Sequence, residues 1–170
     1  HPALPISGTL KTTPSPHPWV DKETPMPSEG WNKSGFDDAS WLRGKAHAGP
    51  GTPYASNVYL RGRFEVTDPA QAKDFKLSVT YHGGAIVYVN GHEIARGHVA
   101  PGAADSAGVA ESYPRNAFVL DNGDIVAENW AYKGPKEHLE IRKRRLTDIP
   151  VPASVLTRGV NVLAIQVIRA

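Results

Sequence analysis

The dipeptide Asn90-Gly91 lies between two short runs, AIVYV and HEIA, and this arrangement constrains the fold more than any other feature of the chain. An Asn-Gly pair between strands is typical of a two-residue hairpin in which both turn residues adopt positive φ. In that register Val89 faces His92. Both faces of AIVYV are apolar, so we predict a central strand. The Gly-Gly pair before it predicts a bend.

Similar short strands recur along the chain. VYLRGRFEV and FKLSVTYH alternate apolar and polar side chains with the period of two that strands require. The 16 glycines and 15 prolines lie between such runs rather than in one block. These patterns predict an all-β fold with very little helix, a β-sandwich or barrel. Outside the hairpin, strands are predicted at residues 58–66, 75–82, 145–149 and 160–168, with a short helical turn in PASVL.

The chain divides into a short arm and one domain. Residues 1–30 are rich in proline and are expected to form an arm or linker, because proline cannot sit in a central strand. Residues 31–170 are expected to form a single β-sandwich domain. Within it, residues 99–140 are weakly periodic and predict a long irregular insert, a length that usually has a function. Because the chain opens on His1 and closes on the strand-like VNVLAIQVIRA, we expect a processed chain or a module of a larger protein.

The composition excludes several function classes. There is no cysteine, so disulfides, thiolate metal sites and cysteine nucleophiles are excluded. Lys and Arg exceed Asp and Glu by only 19 − 17 = 2, which gives no reason to expect nucleic acid as a partner. No apolar run approaches the length of a membrane span, so no membrane partner is expected.

Three stretches carry a resemblance to a known family. They are WNKSGFDDASW, RGRFEVTDPAQAKDFKLSVTYHGGAIVYVNGHEIARG and IPVPASVLTRGVNVLAIQVIR, in that order. Together they resemble the galactose-binding-like jelly-roll modules found in large secreted bacterial proteins and beside glycoside hydrolases. The chain departs from the pattern at His82-Gly83-Gly84, where such modules often have Asp-Gly, and its long insert lies in a variable region.

The resemblance implies a fold, a function and a location. It implies a jelly-roll β-sandwich that acts as a non-catalytic carbohydrate-binding or accessory module, not as an enzyme. The implied partners are a polysaccharide or oligosaccharide and the neighbouring domains of a larger parent protein. The implied location is extracellular or periplasmic. No cofactor is implied, although a structural calcium ion is common in such sandwiches.

The insert holds the candidate sugar-binding residues. Tryptophan and tyrosine rings stack on the C–H face of a sugar, while flanking polar side chains bond its hydroxyls. The insert contains Tyr113, Phe118, Trp130 and Tyr132, and a core cannot easily absorb Trp130, Tyr132 and Tyr113 together. The candidate platform and its polar flank are Trp130, Tyr132, Tyr113, His98, Arg96 and Asn116. By contrast, Trp31 and Trp41 are expected to pack at one end of the sandwich.

Two further functions stay open. One is a structural module that packs against neighbouring domains and has no ligand of its own. The other is a copper-dependent polysaccharide oxygenase in which the amine and ring of His1 chelate copper with a second histidine. That second ligand could be His17, His47 or His138.

Other polar clusters favour structural roles. The histidines His82, His92 and His98 would be separated by the hairpin geometry, which disfavours a metal site. Asp37-Asp38 predict a turn, and DNGD, residues 121–124, predicts a β-turn rather than a calcium loop. The remaining carboxylates, among them Glu111 and Glu128, form no recognisable catalytic pair. The basic run EIRKRRL, residues 140–146, could meet an acidic polysaccharide, but a solvated sheet edge is favoured.

Overall fold

A computed structural model describes residues 25–44, 56–102, 109–127 and 134–170. The described chain is built mainly of β-strands, which confirms the predicted all-β class. Its one α-helix, α1, is the single turn Glu137–Glu140. No helix in these ranges has the length and apolarity needed to cross a membrane. The strands are β1 (Asn57–Val66), β2 (Lys76–Tyr81), β3 (Gly84–Val89), β4 (His92–Gly97), β5 (Arg144–Pro150) and β6 (Gly159–Ile168).

The strands form two antiparallel sheets. One sheet has four strands in the order β1-β6-β3-β4, and the other consists of β2 and β5. The sheets share an apolar cluster, in which Leu77 of β2 meets Val89 of β3 and Leu163 of β6. The strand β3 is buried along its whole length between β6 and β4, as the apolar pattern on both of its faces predicts.

The predicted hairpin is present between β3 and β4. Asn90 and Gly91 have φ angles of 51° and 88°, and Val89 pairs with His92. The predicted bend before β3 is also present. Gly83 has a φ of 75°, and a Cβ atom there would lie 2.1 Å from the carbonyl oxygen of Ile168. The bend therefore requires glycine on both conformational and steric grounds.

Asn90 also ties the hairpin to the turn before β6. Its side-chain amide donates to the carbonyl oxygen of Val155 and to Oδ1 of Asn161, and its Oδ1 accepts from the N–H of Val162. Asn161 is fully buried. Its amide donates to the carbonyl oxygens of Thr157 and Gly159, while its Oδ1 accepts from the N–H of Thr157. The Asn-Gly and Gly-Val-Asn motifs are thus two halves of one hydrogen-bonded junction.

Replacing Asn161 by alanine is expected to lower the free energy of unfolding by about 2 kcal/mol, because buried donors of Asn90 and Thr157 lose their acceptor. Urea denaturation monitored by tryptophan fluorescence measures the change. Asn122→Ala is the matched control, since Asn122 makes its hydrogen bonds to Asp124 at an exposed turn. Equal losses of stability in the two variants would contradict a special role for the junction.

Residues 25–44 cover the face of the four-stranded sheet that lies away from β2. Trp31 packs against the core cluster on this face and meets the ring of Tyr88 edge-on, at 5.8 Å between centroids. Trp41 stacks on Trp31 at 6.4 Å. The two tryptophans do pack within the fold, but they lie over a face of the sheet and not at the predicted end of the sandwich.

Asp38 belongs to this segment, and its side chain is buried, with only 3% of the residue exposed. Its carboxylate accepts from Nε of Arg61 at 2.9 Å, and from a terminal nitrogen of each of Arg43 and Arg63 at 2.8 Å. The Arg61 guanidinium also donates to the carbonyl oxygens of Trp31 and Lys33. The predicted turn forms at the preceding carboxylate, Asp37, whose Oδ1 accepts from the N–H of Ala39. Asp38 instead joins the segment to β1.

The chain between β4 and β5 corresponds to the predicted insert. Its described part contains a 3₁₀ turn, Arg115–Ala117, an isolated β-bridge between Val119 and Ile125, and α1. The short helical turn predicted in PASVL forms at Ala153–Val155, and a further 3₁₀ turn forms at Pro69–Gln71. The insert thus has more regular structure than its weak periodicity indicates.

Candidate functional site

Arg144 anchors the insert to the bend before β3. It is 8% exposed, and its guanidinium donates to the carbonyl oxygens of Gly83 and Glu111 at 2.8 Å and of Ser112 at 3.2 Å. The prediction of a solvated basic edge is therefore wrong for this residue. Its neighbours Lys143 and Arg145 are more exposed and pair with Glu140 at the surface. Arg144 turns inward instead, where its planar guanidinium can satisfy several carbonyl groups at once.

Tyr113 lies directly beneath Arg144. The guanidinium carbon of Arg144 is 3.9 Å from the centroid of the Tyr113 ring. The Tyr113 hydroxyl accepts from the N–H of Gly83 at 2.6 Å and donates to the carbonyl oxygen of Arg142 at 3.0 Å. One ring face and the hydroxyl are therefore engaged within the chain. Tyr113 fixes the insert to the sheet, which is a different position from the open platform expected of it.

Among the insert residues that the structure describes, Phe118 is the aromatic side chain most exposed to solvent. Its ring is 45% exposed. The guanidinium of Arg142 lies over it at 4.7 Å from the centroid, and Tyr113 meets it at 5.7 Å in an edge-to-face contact. Arg142 is itself held, because it donates to the carbonyl oxygens of Ala117 and Val126. The exposed ring is thus fixed from behind.

Asn116 is the candidate polar residue nearest to Phe118 in the sequence. Asn116 is exposed and lies two residues before Phe118 in the chain, on the 3₁₀ turn. Its carbonyl oxygen is 2.6 Å from Nδ1 of His138 on α1. Within the described ranges the side-chain amide of Asn116 makes no hydrogen bond, so it is able to bond a hydroxyl. The contact with His138 also joins α1 to the turn that carries the ring.

His98 follows β4 and lies near Arg144. Arg96 lies on β4, two residues before it. His98 Nδ1 is hydrogen-bonded to the hydroxyl of Tyr81 at 3.0 Å. Burial and the nearby Arg144 hold the pKa of His98 below its usual range, while burial raises the pKa of Tyr81. Both rings are therefore neutral near pH 7. Arg96 forms a two-point ion pair with Glu93 and donates to the carbonyl oxygen of Ala100.

Several predicted site residues fall outside the described ranges. The candidate platform residues Trp130 and Tyr132 do so, as do the copper-site candidates His1, His17 and His47 and the carboxylate Glu128. Their predicted roles stay predictions. Of the six candidate sugar-binding residues, the structure brings Tyr113 and His98 to the Arg144 anchor, and it places Asn116 on the 3₁₀ turn that precedes Phe118. The sequence carries no signal that separates Phe118 from the other aromatic residues of the insert, because its exposure depends on distant contacts.

Metal-binding groups do not converge within residues 25–44, 56–102, 109–127 and 134–170. No three histidine or carboxylate side chains of this part gather closely enough to hold an ion. Residues 121–124 form the predicted turn, in which Asn122 Oδ1 accepts from the N–H of Asp124 and Gly123 has a φ of 91°. Capping by Asn122 therefore satisfies the turn locally.

Comparisons of the chain with protein-family models, with curated proteins and with solved structures gave no match. The galactose-binding-like resemblance therefore rests on the sequence motifs alone.

Proposed function

We propose that the chain is a non-catalytic carbohydrate-binding module in which the Phe118 ring is the stacking platform for a sugar. The observation that carries the proposal is the state of this ring, which is nearly half exposed and yet held in place by Arg142 and Tyr113. The contacts with Arg142 and Tyr113 offset part of the cost of exposing this apolar ring, and a ligand on its open face would remove more of the ring from water.

The chemistry of the ring suits a sugar. Pyranose rings carry a flat face of C–H groups, which are weakly positive and attract the negative face of an aromatic ring. The guanidinium occupies one face of Phe118, so a sugar would stack on the other. Because the ring does not need to be ordered on binding, less entropy is lost. Asn116, which is exposed on the turn two residues before Phe118, would donate to or accept from a sugar hydroxyl.

The proposal carries over the remaining implications of the resemblance. The module would belong to a larger extracellular or periplasmic bacterial protein and would hold that protein on a polysaccharide or oligosaccharide. Trp130 and Tyr132 follow Phe118 in the insert and would extend the platform. Arg96 on β4 is paired with Glu93, and His98, which follows β4, is hydrogen-bonded to Tyr81; both would contribute only at the margin of the platform.

A glycan array of neutral and acidic polysaccharides, followed by titration calorimetry, tests the proposal. Phe118→Ala is expected to weaken binding at least about tenfold, which corresponds to about 1.4 kcal/mol. Phe75→Ala is the matched control, because Phe75 is similarly exposed, at 40%, but precedes Lys76 at the end of β2 opposite Tyr81, the residue that pairs with Arg144. It should leave the affinity unchanged, and both variants should keep the far-ultraviolet circular dichroism of the parent chain.

Two outcomes would refute the proposal at different levels. If the folded chain bound no glycan, the carbohydrate-binding function would be wrong. If it bound a glycan and Phe118→Ala kept the full affinity, the function would stand and the site would be wrong. In the second case Trp130→Ala would be the next variant, and a loss of binding there would move the platform to the later part of the insert.

A further inference from the structure

An apolar cleft of about 820 Å³ opens between the two sheets. Its walls combine the end of β1, the start of β2 and the middle of the four-stranded sheet. The apolar side chains that matter most are Phe64, Val66, Phe75, Leu77, Val89 and Leu163. Phe64 and Phe75 face each other at 5.6 Å across one side of the cleft, and Phe75 is 40% exposed. A core of this kind is normally closed, because exposed apolar surface is unfavourable in water.

The cleft lies beside an unpaired strand edge. In the two-stranded sheet, β2 pairs with β5 along one edge only. No strand in the described ranges pairs with its other edge. Across the layers, β5 contacts β4, which is the outer strand of the larger sheet. The strand β2 therefore lies toward the β1 side, and its free edge borders the cleft.

Among the described residues, the smaller sheet has two strands and the larger sheet has four. Two strands cannot cover the face of four, since neighbouring strands are spaced by about 4.8 Å. The uncovered width lies above β1 and β6, which is where the cleft opens. A third strand beside β2 would fill this width, pair with the free edge and place every second side chain on the apolar floor.

We propose that the cleft and the free edge of β2 receive an extended segment of a partner polypeptide. The segment would add to the smaller sheet as a third strand, with apolar side chains at alternate positions directed into the cleft. A polypeptide is the occupant because only a backbone supplies the regular donors and acceptors that a strand edge can bind. One acidic side chain that lines the cleft, Asp68, is exposed, whereas Glu65 points to the opposite face of β1 from Phe64 and Val66. A basic residue beside Asp68 would therefore flank the apolar positions. The proposal is independent of the sugar site.

The test uses four synthetic peptides of seven residues, each with lysine at both ends and threonine alternating with one apolar residue, which is valine, isoleucine, leucine or phenylalanine. Fluorescence anisotropy measures their binding to the chain of 170 residues. At least one peptide is expected to bind, with an affinity that falls as salt rises. Phe75→Ala should weaken this binding at least about tenfold, whereas Phe118→Ala should not change it.

A chemical control separates strand addition from simple occupation of the cleft. The best-binding peptide is made again with N-methyl groups on alternate backbone amides, which removes the donors of one edge and keeps the side chains. Loss of binding is expected if the peptide pairs with β2. Equal affinity of the two peptides would overturn the proposal, as would the absence of binding by all four peptides.

Two measurements on the chain alone address the other occupants. Hydrogen exchange reports the outer-edge amides of β2, and rapid exchange is expected in the free chain, followed by protection when the peptide is bound. Protection in a free monomer would mean that another part of the chain already covers the edge. A dimer that Phe75→Lys abolishes would mean that a second copy is the occupant. Either result would overturn the proposal.

Discussion

Replacing Asp38 by asparagine is expected to lower the midpoint of thermal unfolding by about 10 °C. The carboxylate forms ion pairs with Arg43, which is close to it in sequence, and with Arg61 and Arg63 on β1. The Arg61 side chain is only 3% exposed. Asparagine keeps the size of the side chain but removes its charge. The buried guanidinium of Arg61 would then lack a counter-charge, which costs far more than the loss of a surface ion pair.

Asp37→Asn is the matched control for this experiment. The Oδ1 atom of Asp37 accepts one hydrogen bond from the N–H of Ala39 in an exposed turn, and an asparagine can accept the same bond. Differential scanning calorimetry of both variants at pH 7 should show a large fall for Asp38→Asn and almost none for Asp37→Asn. Similar midpoints for the two variants would show that the ion-pair cluster adds nothing to stability.

The effect of Asp38 should depend on pH. The hydrogen bond from Arg61, together with that from Arg43, holds the pKa of Asp38 well below its usual range. A carboxyl group whose pKa is lowered in the folded state stabilises the fold above its unfolded pKa, about 3.9, and loses this contribution as the pH falls toward the folded value. The difference in midpoint between the parent chain and Asp38→Asn should therefore be constant above about pH 5 and should shrink below about pH 4.

Replacing Arg144 by methionine is expected to lower the free energy of unfolding by about 3 kcal/mol. The change removes charge-assisted hydrogen bonds to Gly83, Glu111 and Ser112. Three carbonyl groups lose their donor, and Tyr113 loses the cation above its ring. Because these contacts join the insert to the bend before β3, the loss should be visible locally as well as globally.

Hydrogen exchange and urea denaturation separate the local effect from the global one. In Arg144→Met, the amides of residues 109–127 should exchange faster than those of β3 and β6. Arg145→Met is the control, because the adjacent Arg145 is exposed and has only a long contact with Glu140 at 3.5 Å. Arg144→Lys should resemble Arg144→Met, since a lysine cannot reach three carbonyl groups in a planar arrangement. If lysine restored full stability, a positive charge alone would account for the role of Arg144.

The strands and turns could be predicted from the sequence because their signals are local. Alternation in VYLRGRFEV and the Asn90-Gly91 pair define structures only a few residues long, and β1 and the hairpin appear where these signals lie. The central position of β3 could also be predicted, because burial on both faces leaves a mark on every residue of a strand.

The charged contacts could not be predicted, because they depend on pairings between distant parts of the chain. Nothing near Asp38 in the sequence indicates that Arg61 and Arg63 lie above it, since this follows from the position of β1 in the sheet. The same is true of Arg144. In a run of basic residues, alternation shows which side chains point together but does not show which side is solvent. The position of the Phe118 ring could not be predicted either, because it depends on the contact with Arg142, which is distant in sequence.

The position of β6 between β1 and β3 has a consequence for how the protein is made. Both neighbours of β6 are synthesised earlier, and β1 precedes β6 by about a hundred residues. Until β6 leaves the ribosome, β1 has no partner in the sheet and β3 has only β4. The four-stranded sheet therefore closes late in synthesis, and the nascent chain carries two open strand edges until then. A chaperone that shields apolar strands should accordingly bind nascent chains that stop before Gly159 and release those that include Ile168.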